Sequence, residues 1–121
     1  APVASAHWPE GLGNAVTALL ATFGEHVTLT ETPGGTIDQL RERAPRLSDR
    51  IDGLAEQHVS ITADAGRLMD RLDHLPTERT ADDNAAVREQ ALEFLTAIVR
   101  HRQLGADLLY EAYDVDVGGP D

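Results

Sequence analysis

Apolar residues recur at alternating intervals of four and three along three stretches of the chain. Leu12, Val16, Leu19, Phe23, His26 and Thr30 form the first line. Leu47, Ile51, Leu54, His58, Ile61, Ala65, Leu68, Leu72 and Leu75 form the second, and Ala91, Phe94, Ile98, His101, Gly105, Leu108 and Ala112 the third. A 4–3 alternation keeps side chains on one stripe of an α-helix and is the seam pattern of helices packed nearly antiparallel. No segment alternates with the two-residue period of a strand. The third stretch carries a second apolar line, Leu92, Leu95, Val99, Ala106, Leu109 and Tyr113, interrupted by Arg102. A face this broad needs more than two neighbouring elements to cover it.

Breaker residues divide these stretches and predict helices over about 9–31, 36–44, 46–75 and 82–113. Pro9 suits the first position of a helix, and Pro33-Gly34-Gly35 stops that helix. Thr36 with Gln39 forms a capping box for a short helix. Pro45 opens the second long segment and Pro76 ends it. Thr80 and Asp83 cap the third, which Val117-Gly118-Gly119-Pro120 terminates. The chain of 121 residues is long enough for one hydrophobic core. The expected fold is a single all-α domain, an antiparallel helical bundle of three long helices and a short one. It resembles a four-helix bundle, with the last helix supplied by a second copy, so a homodimer is expected.

The net charge is −11, every cation is an arginine, and there is neither lysine nor cysteine. Such a surface repels phosphate backbones, so nucleic acid and anionic membranes are poor partners. Schiff-base lysines, thiol nucleophiles, disulfides and thiolate metal sites are excluded by composition. No apolar run approaches the length of a membrane span, and no export-signal pattern opens the chain, which makes a cytoplasmic address the expectation.

Each long segment places one histidine in its seam: His26, His58 and His101. His58 lies 17 residues before Leu75 and His101 lies 18 after Asp83. At ~1.5 Å of rise per residue both stand roughly 26 Å from the turn joining their helices, which puts them in one layer of an antiparallel pair. His26 is less constrained, because the link from Thr32 to Pro45 absorbs shifts along the axis. Three readings are open. Seam histidines are commonly hydrogen-bonded core residues. A layer of three neutral imidazoles also suits Zn²⁺ or Fe²⁺, and it could instead line a pocket for a small organic ligand. Gly105, one turn beyond His101, leaves a gap on the seam or permits close helix approach; its presence there costs about 1 kcal/mol relative to alanine.

Phe23-Gly24-Glu25-His26-Val27-Thr28-Leu29-Thr30-Glu31, Leu54-Ala55-Glu56-Gln57-His58 and His101-Arg102-Gln103-Leu104-Gly105 resemble three successive helices of hemerythrin-like (HHE cation-binding) domains. The resemblance spans about Leu12 to Tyr113. It implies a four-helix bundle holding two irons between histidines and bridging carboxylates, used in oxygen binding, redox sensing or repair. The motifs are degenerate here. Thr30 stands where the family has a carboxylate, Thr62 where it has a further histidine, and Gly105 and Ala106 where it has another carboxylate. The family's first helix has no counterpart unless His7 beside Trp8 is its relic. The resemblance therefore supports the fold and not the intact di-iron function: the reading keeps a degenerate site for a single iron or zinc ion, or a small ligand, near His26, His58 and His101, to which Glu31 or Asp107 would be added as carboxylate ligands only through a shifted helix register. A purely dimeric interaction module is a further form of the same reading, and a mononuclear metal-dependent oxidoreductase is the alternative.

Other constellations add little. Asp114-Val115-Asp116-Val117-Gly118 begins like a calcium loop but lacks its later ligands. Ser60 points to a different side of its helix from His58, and Tyr110 and Tyr113 suit packing with a wet hydroxyl.

Overall fold

The computed structural model describes the backbone of residues 3–117 and the side chains of residues 7–113. It is an all-α bundle: α1 (Val3–Glu31), α2 (Thr36–Arg43), a single 3-10 turn (Pro45–Leu47), α3 (Ser48–Asp73) and α4 (Ala81–Val117). The chain runs up α1, down α3 and up α4. The helix α3 is central, packing against α1 on one side and α4 on the other, and the two outer helices barely meet. The short α2 touches all three long helices and fills the fourth position of the bundle at one end only. Among the described residues no helix is long and apolar enough to cross a membrane.

The helix limits depart from the sequence expectation in ways the backbone explains. Pro9 lies inside α1 rather than at its start. Its ring removes the backbone bond that an N–H at this position would make, within the first two turns of the helix. Thr36 does not cap α2; the cap position is Gly35, without a side-chain bond. The turn is tied instead through Gly34, whose N–H donates to Asp38 (2.9 Å) and whose carbonyl accepts from Gln39 Nε2 (2.9 Å). Gly34 has φ +80°, and a Cβ at Gly35 would stand 2.6 Å from the Leu29 carbonyl oxygen, so this reversal needs both glycines. At α4 the expected box is present: Asp83 N–H donates to Thr80 Oγ1 (3.1 Å) and Thr80 N–H to Asp83 Oδ2 (2.9 Å). α4 continues past Tyr113 to Val117. The side chains of the Asp114–Gly118 stretch lie outside the described residues, as do Gly119 and Pro120.

The seam of α3 is buried or half-buried from Leu47 to Leu75. The core it organises is in two parts. One joins Ile37, Leu40, Ala44, Leu47, Ile51, Leu54, Leu108 and Ala112. The other joins Val16, Ile61, Ala65, Leu68, Val87 and Phe94, with Trp8 packed against it. Between Leu54 and Ile61 on α3, and between Phe94 and Leu108 on α4, the buried positions are His58 and His101. A polar layer thus separates two apolar ones. The second apolar line of α4 is exposed: Leu92 is 57% and Val99 65% accessible.

Candidate metal centre

The three seam histidines meet in that layer. Ring centroids of His58 and His101 are 4.8 Å apart, and His26 lies 5.1 and 5.4 Å from them. The equal-depth argument for His58 and His101 thus describes their observed placement, and α1 brings its own histidine to the same level. Phe23, one turn before His26, packs against all three rings at 5.6 to 5.7 Å between centroids. His58 and His101 are 3% and 5% accessible, whereas His26 stands at the surface end of the layer.

The nitrogens are oriented. His58 Nδ1 donates to the Glu31 carboxylate, so in the neutral ring Nε2 is the nitrogen that carries the lone pair. His101 Nδ1–H donates to Gln57 Oε1 (2.8 Å), again leaving Nε2 free to face inward. His101 Nε2 lies 3.2 Å from His26 Nε2. His58 Nε2 is buried and has no hydrogen-bond partner. An imidazole held at one nitrogen by a carboxylate or amide, with the other lone pair presented to a shared centre, is the arrangement that orients histidine ligands around metals.

The dimensions suit one ion. With metal–nitrogen bonds of ~2.05 Å, two ligands of a tetrahedral site stand about 3.3 Å apart. The His26–His101 edge of 3.2 Å already matches. One nitrogen from each of the three rings lies within 4.8 Å of the others, so the widest edge closes with a movement of about 1.5 Å. These three histidines are therefore close enough to hold a metal ion. Two of them, His26 and His101, are also biased toward the neutral form a metal requires, since only a neutral imidazole has a lone pair to give. Burial, and then the neighbouring rings of His58 and His26, push the His101 pKa down to about 4. Burial and His58 lower that of His26, while Glu31 acts in the opposite sense.

The two carboxylates proposed as ligands fare differently. Glu31 reaches the layer but engages His58 from outside, on the nitrogen facing away from the shared centre. Its position at the C-terminal end of α1, where the helix dipole disfavours a negative charge, makes the imidazole its compensating partner. Asp107 is exposed and accepts from Gln103 Nε2 (2.9 Å), a full turn beyond the layer on the outer face of α4. Thr30 and Thr62, at the degenerate motif positions, each turn the hydroxyl back onto the carbonyl of the histidine four residues earlier, His26 (2.9 Å) and His58 (2.8 Å). Neither hydroxyl is aimed at the centre. Gln57 and Phe23 complete the site. Gln57 had no assigned role in the sequence reading, because it precedes His58 and lies off the seam.

No protein-family model matches the chain, nor does any curated protein or any solved structure. The functional reading rests on the geometry of the chain itself.

Proposed function

We propose that this is a hemerythrin-like bundle reduced to a mononuclear centre, in which Nε2 of His26, His58 and His101 bind one divalent ion, zinc or iron. The observation that carries this reading is the orphaned Nε2 of His58. A hydrogen-bonded histidine pair accounts for His26 and His101, but not for a third ring held by Glu31 with its remaining lone pair buried and unused. Leaving such a group unpaired costs about 1–3 kcal/mol, which a metal ion at the shared centre removes. Three protein ligands leave a fourth position, the arrangement of catalytic rather than structural zinc sites. This favours ligand or substrate binding at the ion and keeps a mononuclear oxidoreductase as the second reading. The exposed line of Leu92, Leu95 and Val99 on α4 supports association of two copies through that face.

Elemental analysis of the purified chain, followed by Co²⁺ substitution, tests the centre. One equivalent of metal is expected, with intense visible cobalt bands of a four-coordinate site. Weak bands of six-coordinate cobalt, or sub-stoichiometric metal unaffected by changing the histidines, would contradict the proposal.

A further inference from the structure

The histidine layer opens onto a groove. Because α2 fills the fourth bundle position at one end, a groove of about 580 Å³ remains between α1 and α4, and all three histidines form part of its wall. The rest of the wall is mostly apolar, with Leu19, Phe23, Ile37, Leu40, Ile98 and Leu109 as its main side chains. Gly105 adds width, since nothing stands closer than Leu54 Cδ1 at 3.8 Å to where its Cβ would be. The size falls within the roughly 300–1,000 Å³ of small-molecule sites.

Charge decides which small molecule. Three imidazole ligands bring no negative charge to a divalent ion, and Glu31 acts only through His58. The fourth ligand is therefore best supplied as an anion. Arg102 stands in the groove wall and makes no ion pair with any described residue, so its charge is available to the groove. On a surface of net charge −11, an unpaired cation beside the groove draws an anion there in particular.

We infer that the groove binds an apolar monocarboxylate, its carboxylate completing the coordination of the ion on the histidine triad and its hydrocarbon lying along the groove. This rests on the mononuclear centre proposed above. The experiment is calorimetric titration of decanoate, acetate and decanol into the full chain, metal-free and loaded with Zn²⁺, with zinc content and sedimentation measured on the same samples. Decanoate binds the zinc-loaded chain at one equivalent, at least tenfold more tightly than the metal-free chain. Acetate, lacking the hydrocarbon, and decanol, lacking the charge, each bind at least tenfold more weakly. Gly105→Leu fills the groove, keeps its zinc and loses at least tenfold in decanoate affinity. Equal decanoate affinity with and without stoichiometric zinc overturns the inference and leaves the metal centre standing. Failure to bind zinc overturns both. A dimer that binds zinc but excludes decanoate assigns the groove to the second copy and overturns the inference alone.

Discussion

Replacing His58 by leucine separates a core residue from a ligand, because the two roles predict opposite effects in the presence of metal. In the metal-free protein the imidazole is 3% accessible and its Nε2 has no partner. Leucine fills similar space without the unpaired nitrogen, removing a penalty of about 1–3 kcal/mol. The bond to Glu31 is lost, but that carboxylate is 41% exposed and resolvates, so the loss is below about 1 kcal/mol. Metal-free His58→Leu is therefore expected to be as stable as the parent or more stable by about 1 kcal/mol, which for a domain of this length is ~3–6 °C in Tm. Zinc reverses the order. At a free concentration one hundred times its Kd, a ligand specific to the folded state contributes about 2.7 kcal/mol, or roughly 10 °C here. The parent gains this on adding zinc and loses it on chelation, whereas His58→Leu gains little in either direction. Melting curves by circular dichroism, with zinc and with chelator, give all four values. Equal zinc-induced shifts in the two proteins, or none in either, would falsify the role given to His58.

Three further outcomes follow from the same geometry. Glu31→Gln keeps the fold, since the side chain is half exposed, but weakens the orientation of His58 and is expected to lower zinc affinity about 10–100-fold in a competition assay; an unchanged affinity removes Glu31 from the site. For the metal-free protein, His101 takes up a proton near 6.5 when unfolded but only near 4 when folded, so the unfolded state binds more protons between those values and stability rises with pH across that window. This contribution is fully present above pH 6.5 and is lost as the pH falls toward 4, and His101→Gln should flatten this part of a urea-unfolding pH series. Leu92→Glu combined with Val99→Glu changes only exposed positions, so it is expected to leave the Tm nearly unchanged while converting a dimer to a monomer in sedimentation; a parent chain that is monomeric at high concentration refutes the dimer.

The fold was legible because one signal, the 4–3 seam, is set by the geometry of helix packing. It also marked the depth of the site, since rise per residue converts sequence distance from a turn into height along the bundle. What it could not show was which way a residue off the seam turns. Gln57 is one position before His58, a rotation of ~100°, and no periodicity argument connects it to a histidine on another helix. Glu31 was identifiable as a nearby carboxylate, but whether it faces the centre of the histidine layer or the Nδ1 of His58 depends on how α1 ends. That ending is fixed by the tight Gly34-Gly35 reversal, not by the seam. Asp107 illustrates the converse: an acid at plausible sequence distance from His101 that the helix carries to the outer face. The incomplete fourth position was expected from the broad apolar face of α4, but not that α2, with only Ile37 and Leu40 strongly apolar, would bury both and fill one end of it.

The layer contains two unfavourable features whose coincidence needs a cause. A buried imidazole nitrogen without a partner weakens the fold, and an acid at the end of a helix opposes the dipole. Either alone is an ordinary imperfection. Here they are joined through a single residue, His58, whose two nitrogens carry one feature each. A cation at the shared centre acts on both at once: it accepts the lone pair, and its charge, passed through the imidazole, makes the carboxylate at the other nitrogen favourable. A plain packing role for His58 accounts for its bond to Glu31 but not for its buried nitrogen without a partner. Apolar replacement of that layer would have joined the two halves of the core into one. The chain instead keeps them apart around three imidazoles beside an open groove, and the proposed binding at that layer gives each of these features a reason.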